Sequence, residues 1–171
     1  MAAAIVINFD HGISAVDAVY DGRHSHSAIH VVLAGGLTPE GTSAAIVDTG
    51  TNYSIPALVE ALAQMGVAPE QVAYVIVTHV HLDHAGGAGE AMRRFPNARL
   101  VAHPRGARHM TDPSKLVAGT VAVYGAEKTQ AIYGKIVPVA PERVIEAPDG
   151  FRLDFNGREL VWRGLFWRGL Y

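Results

Sequence analysis

The chain has 171 residues, 49% of them hydrophobic and 18% charged, which fits a globular domain and excludes a disordered polyelectrolyte. It has no cysteine, which excludes disulfides and thiolate metal sites and leaves imidazole and carboxylate as metal donors, a set suited to Zn, Fe, Mn, Co or Ni. The net charge of −2 divides unevenly: residues 1–85 carry one basic and eight acidic side chains, residues 86–171 thirteen basic and eight acidic.

In chain order, the start lacks a basic segment before a long apolar run, so no signal peptide is expected. Residues 31–34 and 44–47 read as two strands with a turn-rich Gly35-Gly36 connection, and Asp48-Thr49-Gly50 closes the second. Ser54 suits a helix N-cap, Pro56 its first turn, and Leu58, Leu62 and Met65 one apolar face. Gly66 ends that helix. The near-continuous apolar run 72–78 is expected of a strand buried on both faces. Gly86-Gly87 open a helix through Met92, with Arg93 and Arg94 at its negative end and Pro96 as its stop. Residues 99–102 form another strand. Residues 104–134 read as helix broken by Pro and Gly, and Pro138 and Pro141 mark a loop. Short strands follow at 144–145, 151–155 and 159–162, the last two joined by an Asn156-Gly157 hairpin turn. Strands and helices alternate throughout, which makes the class α/β or mixed α+β in one domain.

No segment approaches the ~18 apolar residues of a membrane span. No Lys/Arg run with interleaved aromatics points to nucleic acid. A cytoplasmic protein is expected. The charge division has two readings: an acidic half that attracts cations, or two layers of complementary charge.

The densest chemistry is Thr78-His79-Val80-His81-Leu82-Asp83-His84-Ala85-Gly86-Gly87. His79 and His81 are two apart, so in extended backbone both imidazoles reach the same side. Asp83 and His84 follow where the chain turns, within reach of the same cation or a second one. A catalytic zinc site keeps about three protein ligands and a position for water, whose pKa falls to ~7. Asp83 can serve both as a ligand and as the group that orients or deprotonates that water.

This run resembles the H-x-H-x-D-H signature of the metallo-β-lactamase fold hydrolases, and Ile46-Val47-Asp48-Thr49-Gly50 resembles the strand and turn these proteins carry before it. The Asp-His-Ala-Gly-Gly form is most similar to the glyoxalase II and lactonase branches. The resemblance covers about residues 28–162. It implies an αββα sandwich and two zinc positions, with iron or manganese as substitutes: His79 and His81 on the first, Asp83 and His84 on the second. It implies attack of metal-bound hydroxide on a small ester, thioester, lactone or similar carbonyl. The family pattern continues into a Thr-Pro-Gly-His segment, a bridging Asp and a last His. Here a tandem Trp-Arg-Gly-Leu repeat stands instead, and residues 163–171 read as an atypical tail. The implied sandwich is therefore incomplete in its second half, truncated at the C-terminus, with two protein ligands per metal. Two rival readings use the same residues: a metal-binding module without turnover, completed by a partner chain, and an iron redox protein. An inner sheet face left open predicts association with a second copy.

Other polar residues have plainer readings. His103 ends a strand and can lean toward the cluster, or start a helix. His24, His26 and His30 lack a carboxylate spacing and read as a solvated loop. Asp48 fits a turn as well as it fits support for a ligating imidazole. No serine lies in a Gly-x-Ser-x-Gly context.

Overall fold

The computed structural model describes residues 3–35 and 41–163. A seven-stranded mixed sheet runs in sequence order: β1 (Val6–Asn8), β2 (Ile13–Asp17), β3 (Ala28–Gly35), β4 (Thr42–Val47), β5 (Val72–Ile76), β6 (Arg99–Ala102) and β7 (Val144–Glu146). The first four strands pair antiparallel and the rest parallel. The parallel half requires crossovers. They are α1 (Ile55–Gln64), then α2 (Leu82–Ala85) with α3 (Ala88–Arg94), then α4 (Pro104–Thr111), α5 (Ser114–Tyr124) and α6 (Ala126–Tyr133). A separate hairpin, β8 (Arg152–Phe155) and β9 (Arg158–Val161), begins a second β layer. This is the expected mixed α/β class. The described residues build a helix layer, the large sheet and two strands beyond it.

Alternation along the central strands explains the layers. Ala44, Ile46 and Val75 face the helices and pack with Leu58, Leu62, Met92 and Phe95. Their neighbours Ala45 and Ile76 face the other way and pack with Leu153 and Phe155 of the hairpin. Both faces of β4 and β5 are thus covered, as a near-continuous apolar sequence demands. Truncating a fully buried anchor such as Leu58 or Phe95 costs about 2–5 kcal/mol. The hairpin turns at Asn156 (φ 48°) and Gly157 (φ 81°), the left-handed pair expected of Asn-Gly. Asn156 also donates from Nδ2 to the Gly41 carbonyl at 2.9 Å, tying the hairpin to the large sheet.

The structure departs from the sequence reading at several points. Strands β1 and β2 were not expected. They are short and joined through left-handed His11 and Gly12, so neither shows a long alternation. Ser54 is the N-cap of α1, as expected, but its side chain makes no cap bond to that helix and serves the turn before it. The Thr51 side chain accepts from the Tyr53 N–H, and Ser54 Oγ accepts from the Thr51 N–H at 3.1 Å. Strand β5 stops at Ile76 and not at residue 78; His79 follows on a bend, and His81 is the N-cap of α2. Helix does not wait for the glycines either: α2 already holds Asp83 and His84. The connection at 36–40 and most of the Trp-Arg-Gly-Leu repeat lie outside the described residues. Among the described residues, Lys/Arg ion pairs with carboxylates stay within one half of the chain, so the charge division does not appear as pairing between the halves. No helix among them is long and apolar enough to cross a membrane.

Candidate metal centre

Three chain segments meet at the C-terminal ends of β4 and β5, where ligands of open α/β sheets bind. The first is the turn after β4. Asp48 adopts φ 60°, a left-handed conformation that Asp tolerates better than most residues. Its N–H bonds the Ile76 carbonyl at 2.8 Å, which fixes the turn against β5. The second segment is the bend 77–81, and the third is α2. Thr49 locks α2 in place, donating to the His84 carbonyl from its N–H at 2.7 Å and its hydroxyl at 2.9 Å.

The glycines after the cluster serve packing. A Cβ on Gly87 would lie 2.7 Å from the Thr51 carbonyl oxygen and 2.8 Å from Ile55 Cδ1. Only glycine permits the approach that lets the Gly87 N–H reach the Gly50 carbonyl at 3.0 Å. The elbow between α2 and α3 is thereby pressed onto the Asp48 turn, which positions α2.

Asp48 is the hub. Its Oδ1 accepts from the Thr78 N–H at 2.8 Å, and the Thr78 hydroxyl lies 2.9 Å from both carboxylate oxygens. Its Oδ2 lies 2.9 Å from His84 Nδ1. With an ionised Asp48, that nitrogen carries the proton and donates. The neutral ring then presents Nε2 outward as a ligand, the usual effect of a carboxylate behind a metal-binding imidazole. His84 Nε2 lies 3.5 Å from Asp83 Oδ2. The Asp48 hydrogen bond raises the His84 pKa, against the opposing pull of burial. At His79, burial and the neighbouring His84 and His81 act the other way and lower it.

The four expected ligands are brought together. The rings of His79 and His81 are 4.7 Å apart between centroids, and those of His79 and His84 are 4.2 Å apart. The Thr78 hydroxyl sits 3.0 Å from His79 Nδ1. Three imidazoles and a carboxylate are the right donors for zinc or a similar divalent ion. Yet no three His, Asp or Glu side chains among the described residues form a ready coordination group. The His79 ring lies between those of His81 and His84, and Asp83 lies against His84.

The remaining candidates separate clearly. His103 caps α4, its Nδ1 accepting from the Arg105 N–H at 3.2 Å, and shares a 300 Å3 cavity with His79. His24 bonds Asp17 in a distant loop at 2.8 Å. Asp48, weighed evenly as a turn residue, is both the turn residue and the support for His84. Sequence reasoning missed the cleft of about 590 Å3 that adjoins the cluster, lined by His81 and Asp83 and, from outside the cluster, by Tyr20, His109, Lys115 and Tyr133. Nothing in local spacing links those residues, which come from a loop and three helices.

The sequence model of the metallo-beta-lactamase superfamily matches residues 23–165. A 56-residue stretch, 33% of the chain, is 50% identical to Metallo-beta-lactamase domain-containing protein 1 of Mus musculus and spans 20% of that protein. The Homo sapiens protein of the same name is 46% identical over 56 residues, again 20% of its length. Among solved structures, MEM-A1, a subclass B3 metallo-beta-lactamase from a soil metagenome library, superposes with a TM-score of 0.65 at 18% identity over 94% of this chain and 52% of its own. The native FEZ-1 metallo-beta-lactamase of Legionella gormanii gives 0.64 at 14% identity, over 95% of this chain and 54% of its own. The chain thus spans about half the length of these structures.

Proposed function

The chain belongs to the metallo-beta-lactamase superfamily, and from that membership we propose that it is a metal-dependent hydrolase acting on a small ester, thioester or lactone. One observation carries the reading: His79, His81, Asp83 and His84 converge beside an open cleft, and His84 is held in its ligating tautomer by Asp48. Zinc is the first choice of cation, with manganese or iron as substitutes. His79 and His81 would hold one cation, Asp83 and His84 a second. Such cations supply Lewis acidity, acidifying water and polarising a carbonyl.

The chain's own residues do the rest. Asp48 keeps the proton on His84 Nδ1 and the imidazole in register. Asp83, with its side chain 43% exposed, is free to take a proton from water at a carboxylate oxygen and return it to the leaving group. Burial, with help from the Tyr20 hydroxyl, pushes the Tyr133 phenol up and keeps it a neutral donor in the cleft wall. A second reading is supported by the lack of a ready three-donor group among the described residues: a metal-binding module whose coordination is completed by further residues or a partner chain, without turnover of its own.

Metal content after mild dialysis, measured beside hydrolysis of a generic ester and a lactone, separates the two. Close to two cations per chain with turnover is expected of the hydrolase. Weak, substoichiometric binding without turnover favours the module and overturns the enzyme reading. Optical spectra of the protein as isolated would reveal iron.

A further inference from the structure

Helix α5 breaks the pattern of the other crossovers. From Leu116 to Val123, Thr120 is its only polar side chain, yet none of its residues is buried. A helix apolar around its circumference belongs in an interior. Here Val123 is 75% and Tyr124 48% exposed, and Ala118 and Ala122 are exposed beside them. Thr120 donates its hydroxyl proton back to the Leu116 carbonyl at 3.0 Å. The surroundings are basic. Residues 104–135 hold five lysines and arginines against two acids, a net of +3 in a chain of net −2. One of those acids, Asp112, already accepts from the Ser114 N–H at 3.1 Å. Lys115 stands in the first turn of α5, with no carboxylate within ion-pair distance among the described residues. Lys128, on α6 just past the other end, holds its ammonium 5.7 Å from the centre of the Tyr124 ring.

We propose that α5 is the surface by which this protein rests on an anionic lipid layer. Charge complementarity selects the occupant. Acidic headgroups meet Lys115 and Lys128 at the two ends of the patch, and the acyl layer takes Ala118, Ala122 and Val123 without needing a hydrogen bond. A protein partner needs about one hydrogen bond per 100–200 Å2 of interface, and Thr120 is the sole side-chain donor or acceptor between Lys115 and Tyr124. Tyr124 brings a ring with a polar end to headgroup level, where such side chains concentrate. A helix of this length spans ~16 Å, about half of the ~30 Å hydrocarbon layer, so α5 lies on the surface and does not cross it. The metal ligands take no part, and the docking is independent of turnover.

Co-sedimentation of the full chain with phosphatidylcholine vesicles, alone and with phosphatidylserine as a third of the lipid, tests this. The mixed vesicles should bind about tenfold more tightly than the neutral ones, and added salt should close the gap. Lys115→Gln and Lys128→Gln should each weaken binding to the mixed vesicles about fivefold. Val123→Gln should weaken it about tenfold, and Ala118→Leu should strengthen it by a similar factor, through apolar area lost and gained. Arg99→Gln, at the start of β6, should leave it unchanged. All these positions are exposed, so each variant should fold, which circular dichroism checks. Equal binding of the two vesicles overturns the proposal. So does charge-dependent binding that ignores Val123→Gln and Ala118→Leu, because a diffuse basic surface would then suffice. A dimer in sedimentation velocity that Val123→Gln breaks up also overturns it, since a second copy would then cover the helix. Zinc-loaded and metal-free protein should bind alike, so a chain without hydrolysis still tests the surface. Binding that requires zinc would place the headgroup on the metal centre and defeat this proposal alone.

Discussion

Two His–Asp pairs sit in the acidic half of this chain with nearly the same geometry. His24 Nδ1 lies 2.8 Å from Asp17 Oδ2, and His84 Nδ1 lies 2.9 Å from Asp48 Oδ2. Their surroundings set them apart. The His24 side chain is 58% exposed, and its partner Asp17 spends its other contacts on the N–H groups of Val19 and Ser25. That pair staples a loop. Asp48 spends its other contacts on Thr78, beside His79, while the free edge of His84 meets Asp83 and the His79 ring. An imidazole backed by a carboxylate becomes a ligand only when other donors face its second nitrogen. Pairing alone does not distinguish a staple from a metal centre.

Removing an imidazole from each neighbourhood should give the largest contrast. His81→Ala takes one of two imidazoles from the first position and should lower zinc affinity by more than the roughly 10–100-fold typical of losing a supporting group. Ester hydrolysis should vanish with it. His24→Ala should change neither. Calorimetric zinc titration of both variants checks this, and equal losses would erase the distinction between the pairs.

A smaller effect is expected one step back from the metal. Asp48→Asn removes the carboxylate behind His84 and should cost about 10–100-fold in zinc affinity. The pH dependence sharpens the point. Asp48 raises the His84 pKa above its ordinary 6.5, so protons compete with zinc at that nitrogen already above pH 6.5. In Asp48→Asn the competition should set in at lower pH, although affinity at neutral pH is weaker. Zinc affinity measured separately at each pH should show its acid-side break at lower pH in Asp48→Asn; a break that moves to higher pH would contradict the assigned hydrogen bond.

The ligand cluster was legible because all four donors lie within six consecutive positions, and the central strands because Val72–Ile76 is apolar on both faces. What stayed hidden has a physical reason in each case. Asp48 reads as a turn residue because it is one, and its second role depends on His84, 36 residues away on α2. The cleft is built from Tyr20, His109, Lys115 and Tyr133, which only the crossovers bring together. Strand β2 exists through pairing with β3, and β1 through pairing with β2, and three residues of Val6–Asn8 carry too little alternation to announce themselves. The elbow at Gly86-Gly87 shows the converse. Its residues were noticed, but as a helix start, whereas close approach to Thr49, Thr51 and Ile55 decides the identity of Gly87.

On the staple side, Asp17→Asn should cost about 1–2 kcal/mol of stability by weakening charge-assisted hydrogen bonds to a buried group. Burial pulls the Asp17 carboxyl upward, but the Val19 N–H, His24 and the Ser25 N–H outweigh it and hold it below 3.8. A lowered native pKa stabilises the fold above the unfolded value, and that contribution fades as pH falls below about 4. The difference between wild type and Asp17→Asn should therefore be full at pH 7 and narrow in acid. Zinc affinity should not move. Thermal unfolding at stepped pH, with and without zinc, reads both.

The smallest expected effect probes the turn that Asp17 holds. Val19 has φ 48° and ψ 50°, a left-handed conformation that costs an L-residue about 1–2 kcal/mol and is rare for a β-branched side chain. Its N–H bonds Asp17 Oδ1 at 2.9 Å, and the next residue, Tyr20, reaches the Tyr133 hydroxyl at 3.3 Å across the cleft. Val19→Gly relieves the backbone but loses a half-buried side chain and adds about 0.5–1 kcal/mol of unfolded-state entropy. These terms nearly cancel, so the change should stay within about 1 kcal/mol. A larger loss would mean that side-chain packing, and not the Asp17 staple, sets this turn. The two regions would then differ in more than the company their histidines keep, because the His24–Asp17 pair would no longer be what holds its loop.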